Sequence, residues 1–105
     1  MDCDIAIVGG GHTGLLLAAS LKGAGFAVRL IEQTVCKRSP APPDGRNLAL
    51  LRGSAEIVRR LGLWPAIAAV AEPVDQVRLA DQTGNGRLEW HAADYGGTPF
   101  AWGVE

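Results

Sequence analysis

A chain of 105 residues has room for one domain with a limited core, burying about 60–68% of its unfolded surface. Hydrophobic residues make up 48% and charged residues 20%, a composition too apolar for a disordered chain. Ten Lys and Arg stand against eleven Asp and Glu, for a net charge of −1 with no block of like charge, so neither a nucleic acid nor an anionic membrane is an expected partner.

The opening Met1-Asp2-Cys3-Asp4 is acidic where a secretory signal needs positive charge. The apolar stretch behind it is broken by glycines instead of running for about 18 residues. A cytoplasmic protein without a transmembrane segment is expected. Cys3 to Val8 reads as a short apolar strand. Gly14 to Leu21 then carries Leu17, Ala18 and Leu21 at helical spacing, and Gly23 and Gly25 stop the helix. Ala27 to Glu32 is rich in aliphatic residues and bounded by glycine and charge, a second strand. A helical crossover between two strands packs right-handed and makes them parallel neighbours, so the first 32 residues form a βαβ unit. Cys3 and Cys36 then fall at opposite ends of a parallel pair, further apart than the roughly 7 Å a disulfide allows between Cα atoms. Two free thiols are expected, and without clustered histidines no metal site is expected.

Val35 to Gly45 contains Pro40, Pro42, Pro43 and the Asp44-Gly45 turn signal, which suit a loop rather than a second crossover helix. From Ser54, a suitable N-cap, Ile57, Val58 and Leu61 make one apolar face, and Gly62-Leu63 resembles a Schellman stop. Pro65 fits the first position of a short helix reaching Ala71. After Pro73, Val77 and Leu79 alternate with polar neighbours, as do Leu88 and Trp90, with DQTGNG between them. This is an antiparallel hairpin with one buried face. Phe100 to Val104 adds a third strand, weakened by Gly103. No internal repeat or low-complexity segment is visible.

The chemistry-bearing pattern is Gly9-x-Gly11-x-x-Gly14, which follows a strand and opens a helix, with Glu32 ending the next strand about 20 residues on. Gly9 permits the tight turn. Gly11 has no Cβ to block a pyrophosphate, and Gly14 lets the helix approach the strand. Free N–H groups at the helix start, at the positive end of its dipole, favour a diphosphate. Glu32 would accept hydrogen bonds from a ribose diol and repel a 2′-phosphate. The plainer readings are a glycine turn that merely ends a strand and a solvated strand-end carboxylate. Strand, helix, second strand and terminal acid together tell against them. The fingerprint does not separate FAD from NAD, since both carry the same ADP moiety.

The combination of VGGGHTGLLLA, LIE, DGRNLAL followed by a helix ending in LGLW, and the late FAWGVE resembles the FAD-dependent aromatic-ring hydroxylases. It is closest to their ubiquinone-biosynthesis branch and more distantly similar to para-hydroxybenzoate hydroxylase. The resemblance runs along nearly the whole chain. It implies FAD held through Gly9, Gly11, His12, Thr13, Gly14, Glu32 and Gln33, with Arg46 of DGR reaching the pyrophosphate; an arginine fork pairs bidentately with phosphate oxygens. It also implies NAD(P)H as reductant, O2, and a small aromatic substrate. The expected fold is α/β, a partial Rossmann-like FAD-binding domain built on the βαβ unit, followed by helices and an antiparallel β-hairpin layer. Residues 1–72 would be the N-terminal part of the FAD-binding domain and 73–105 the incomplete start of the substrate-domain sheet.

No catalytic residue is expected within the chain. His12 stands where the family more often has a small or apolar residue, and the helix dipole opposes its protonation. Arg38, Arg52, Arg59, Arg60 and His91 read as solvated, and Trp64, Trp90 and Trp102 as packing groups. Family members run much longer and carry later Asp-Gly and Gly-Asp motifs that complete the flavin contacts. An N-terminal fragment or truncated product, inactive alone, is therefore expected, paired with the remainder of its chain or with another copy. The alternatives are another FAD- or NAD-dependent oxidoreductase, and a noncatalytic dinucleotide-binding or interaction module whose sheet edges seek a partner.

Overall fold

The structure, a computed structural model, describes residues 2–35 and 45–105. The expected loop prolines, Asp44, Cys36 and Arg38 lie outside the described residues. By internal contacts the chain forms two compact units, residues 1–42 and 43–105.

The first unit is a strand, a helix and a strand. Strand β1 (Ile5–Val8) lies parallel to β2 (Val28–Ile31), with Ile5 opposite Val28 and Val8 opposite Ile31. Helix α1 (His12–Gly23) is the crossover. It ends as a Schellman motif, in which the Gly25 and Phe26 amides donate to the Lys22 and Leu21 carbonyls. Chain entry into the sheet is fixed by Asp4, whose carboxylate accepts from the Ala27 amide at 2.8 Å. Ile7 is buried. Leu17, expected beside Leu21 on the packed face, is half exposed, and the partly covered positions are instead Gly14, Leu16 and Ala18 to Leu21. Gly14 lets the helix start lie against the Gly9 turn and Ile7 of β1. Cys3 is a free, exposed thiol.

The second unit holds β3 (Leu48–Leu51), α2 (Arg52–Arg60), α3 (Trp64–Ala68), β4 (Glu72–Val74), β5 (Gln76–Ala80), β6 (Arg87–His91), a 3-10 turn (Ala92–Tyr95) and β7 (Ala101–Val104). Its main sheet has the order β3-β7-β4, with β7 antiparallel to both neighbours. Two of these strands, β3 and β4, are absent from the sequence reading, because they are short and one contains Pro73. The strand at Ala101–Val104 is present, but it fills the centre of this sheet and does not extend the hairpin. Gly103 is tolerated there because the Asn47 side chain crosses it, with Oδ1 3.3 Å from where a Cβ would stand.

Helix α2 begins at Arg52, two positions before the expected N-cap Ser54. Leu51 occupies the cap with an extended backbone and no side-chain cap bond, since β3 runs straight into the helix. Its buried residues are Ala55 and Val58, while Ile57 is half exposed. The C-terminus is the expected Schellman stop, with Gly62 at φ +72° and the Gly62 and Leu63 amides bonded to the Arg59 and Val58 carbonyls. Pro65 sits in the first turn of α3, which ends at Ala68 rather than Ala71.

Val58, Ala55, Ala101, Trp102 and Ala92 form the buried core of this unit. Trp64 meets Trp102 edge to face, with ring centroids 5.1 Å apart, and Arg59 lies 4.2 Å over the Trp64 ring. The hairpin β5–β6 is antiparallel as expected, with Val77 opposite Trp90 and Leu79 opposite Leu88. Its turn is closed by Asp81, which accepts from the Thr83 amide and hydroxyl at 2.9 Å. The expected buried face is not buried: Val77, Leu79 and Leu88 are exposed and Trp90 is only partly covered. Alternation predicts which residues share a face, but not whether a second layer covers it.

Candidate functional site

The site forms at the carboxyl ends of β1 and β2, where ligands bind in open parallel sheets. As β1 ends, the Gly9 amide donates to the Ile31 carbonyl at 2.8 Å, and the backbone turns with Gly9 at φ +106°. Only glycine adopts that angle without strain. Gly11 is the N-cap of α1 in an extended conformation, with no side chain capping the first turn. A Cβ at Gly11 would meet nothing within 4 Å. A Cβ at Gly14 would stand 2.0 Å from the Gly9 carbonyl oxygen and 3.6 Å from Ile7 Cγ2. One glycine therefore shapes the turn, one leaves its outer side open, and one lets helix and turn touch. His12 and Thr13 are the first two residues of α1, both exposed.

Glu32, just past β2, folds back onto this turn. Its Oε2 accepts from the Gly10 amide at 2.5 Å and its Oε1 from the Thr34 amide at 3.0 Å. The Thr34 N–H, followed by the Gly10 N–H, holds the carboxyl below the usual glutamate range, because hydrogen bonds to the charged form favour it. A cleft of about 380 Å³ opens beside it, lined by Val8, Gly9, Ile31, Glu32 and Gln33. Val8 and Ile31 are register partners, so they give the cleft an apolar wall next to a carboxylate.

Helix start, open turn, ionised carboxylate and apolar wall fit the diphosphate, ribose and base of an ADP moiety in that order. The structure brings together all the expected site residues of the first unit: Gly9, Gly11, His12, Thr13, Gly14, Glu32 and Gln33. Arg46 belongs to the second unit, exposed ahead of β3.

The FAD binding domain family matches residues 2–102. The chain belongs to this family. Within the FAD binding domain, 68 residues are 48% identical to ubiquinone hydroxylase UbiM of Neisseria meningitidis, covering 64% of this chain and 15% of that protein. A stretch of 73 residues is 41% identical to 3-demethoxyubiquinol 3-hydroxylase of Escherichia coli K12, covering 64% of this chain and 18% of that protein. The chain thus spans less than a fifth of either relative. In fold, the domain is similar to p-nitrophenol 4-monooxygenase PnpA of Pseudomonas putida DLL-E4, with TM-score 0.64, 27% identity, and coverage of 95% of this chain and 25% of that one.

Three side chains read as solvated have specific partners. Arg52 donates through Nε to the Pro99 carbonyl at 2.8 Å and through a terminal nitrogen to the Thr98 carbonyl, while its guanidinium lies 5.5 Å over Phe100. Arg59 stacks on both Trp64 and Trp102. His91 Nε2 lies 3.6 Å from Glu89 Oε2, a carboxylate that also accepts from Arg78 and Arg87. Local spacing carries no signal for the contacts of Arg52 with Thr98, Pro99 and Phe100 or of Arg59 with Trp102, which come from distant parts of the chain. Arg59 also meets Trp64 five residues on, and Arg60 makes the exposed helical pair with Glu56 that spacing does predict. Gly10 was also missed as a site residue, because the fingerprint leaves its position open.

Proposed function

We propose that the chain supplies the ADP-gripping part of an FAD-dependent aromatic-ring monooxygenase that uses NAD(P)H and O2. The observation that carries this reading is the Glu32 carboxylate held on the glycine turn beside an unobstructed helix start. The turn and the first amides of α1 would take the diphosphate, with His12 and Thr13 at its edge. Glu32 would take the ribose diol, Val8, Ile31 and Gln33 would line the adenosine, and Arg46 would reach the pyrophosphate. When bound, FAD supplies the redox and oxygen chemistry; this chain's residues bind and orient it.

Within a partial Rossmann-like domain, residues 1–72 would serve the cofactor and 73–105 would begin the substrate region, with β4 at the junction. The names of the similar proteins favour a small aromatic or quinol-like substrate. Among the described residues no helix is long and apolar enough to cross a membrane, and the same reading puts the protein in the cytoplasm, joined to further chain or to another copy.

The test is titration of the chain with FAD, followed by flavin fluorescence, with ADP as competitor. Saturable quenching reversed by ADP is expected. Failure of both FAD and ADP to bind would overturn the reading. Carried at the length of its relatives, the protein should be yellow, lose its flavin absorbance on addition of NAD(P)H, and consume O2 faster with a phenolic substrate; a colourless folded product would refute the enzyme assignment.

A further inference from the structure

We propose that Gly10 determines specificity at the nucleotide site: its bare amide seats the Glu32 carboxylate in the orientation that receives a ribose diol. The inference rests on the nucleotide reading above and adds a residue to it.

The backbone does not call for glycine at this position, because the φ of Gly10, unlike that of Gly9, lies outside the left-handed region. Glu32 is what calls for it. A Cβ on residue 10 would stand 2.8 Å from Glu32 Oε2, 3.1 Å from its Cβ and 3.2 Å from its Cγ, all closer than ordinary van der Waals contact. The carboxylate can swing away by side-chain rotation while Glu32 Cβ has to give by a few tenths of an ångström, so a side chain at position 10 pushes the carboxylate off the Gly10 amide.

The Gly10 and Thr34 amides each hold a different oxygen of the carboxylate, Oε2 and Oε1. Each oxygen has two acceptor positions. The Gln33 amide and the Thr34 hydroxyl lie on the same carboxylate as lesser donors. Because the group is exposed, a ribose diol can take their place while the Gly10 and Thr34 amides keep the two oxygens oriented. Orienting the group beforehand removes its ordering cost from the binding step. Gly10 is therefore a positioning residue that acts through Glu32, and its effect belongs to the sugar and not to the diphosphate.

The experiment compares ADP with 2′-deoxy-ADP by calorimetry on the 105-residue chain, on Gly10→Val, on Glu32→Gln and on the double variant. The chain should prefer ADP. In Gly10→Val, ADP affinity should fall roughly tenfold, the loss expected for one charge-assisted hydrogen bond, while 2′-deoxy-ADP affinity changes much less. The double variant should bind no worse than Glu32→Gln. An unchanged ADP to 2′-deoxy-ADP ratio in Gly10→Val, or losses that multiply in the double variant, would overturn the proposal. Should Gly10→Val lose the far-ultraviolet circular dichroism of the parent chain, Glu32→Asp carries the same test. Its carboxylate is one methylene short of the two amides, and a retained preference for ADP would refute the role. Absence of binding of either nucleotide to the parent chain would remove the nucleotide reading itself, whereas binding with an unaltered ratio removes only the role of Gly10.

Discussion

Two glycines of one motif make opposite demands. Gly14 is required by the fold, since a Cβ there collides with the Gly9 carbonyl at 2.0 Å. Gly14→Ala should therefore cost about 1–3 kcal/mol, the usual range for forcing a group into filled space, and weaken nucleotide binding with it. Gly11 faces open space, so Gly11→Leu should move the urea midpoint little, within about 0.5 kcal/mol, while abolishing ADP binding by filling the diphosphate's place. Equal stability losses in the two variants, by urea denaturation, would contradict this division. Glu32 has a sign of its own. Its folded-state pKa is depressed by the Thr34 and Gly10 amides, so its stabilising contribution is complete above its unfolded value and is lost as pH falls through the lower, folded value. ADP affinity should stay level as acid is added through the ordinary glutamate range and fall only below it. A drop at the ordinary glutamate midpoint, by NMR titration of Glu32 alongside calorimetry, would show the carboxylate to be unbonded.

The helix stops obey local rules and the strands largely do not. Gly25 and Gly62 both end helices through the same pair of amide-to-carbonyl bonds, and Gly62 was legible from Gly-Leu following an apolar face. Gly62→Ala puts a Cβ residue at φ +72° and should cost about 1–2 kcal/mol, measured as a shift in thermal midpoint with α2 otherwise intact. No shift would mean that the helix end frays. The parallel pair β1–β2 and the hairpin were readable because turn chemistry and alternation are local. Strands β3 and β4 were not, because Leu48–Leu51 is apolar without alternation and Glu72–Val74 carries a proline. Both become strands only because β7 lies between them and supplies the backbone partners. Ser54, a sound cap by residue type, was displaced because a strand feeding directly into a helix leaves the junction at Leu51.

Among the described residues the buried set is small, six hydrophobic residues with Val58 the one large side chain fully enclosed, and many leucines, isoleucines and valines remain exposed. A core this slight leaves stability sensitive to anything bound to the folded form. ADP or FAD at about a hundredfold over its dissociation constant should add about 2.7 kcal/mol, raising the thermal midpoint by several degrees. An unmoved midpoint at saturating nucleotide would mean that the ligand does not favour the folded chain. The amino-acid order alone determined the strand, turn and helix that open the chain, the three glycines with their separate tasks and the acid that answers them, because each depends on backbone angles and spacings within about 20–30 residues, the length of one βαβ unit. The family was legible too, from motifs spread along nearly the whole chain. Tertiary structure alone decided that Glu32 rests on the amide of Gly10, that the exposed Arg52 and Arg59 meet the Thr98 and Pro99 carbonyls and the Trp102 indole, and that the last strand joins β3 and β4. Those outcomes depend on which distant segments come within a few ångströms of each other, and hydrogen bonds and ring contacts between such segments have no signature in sequence spacing.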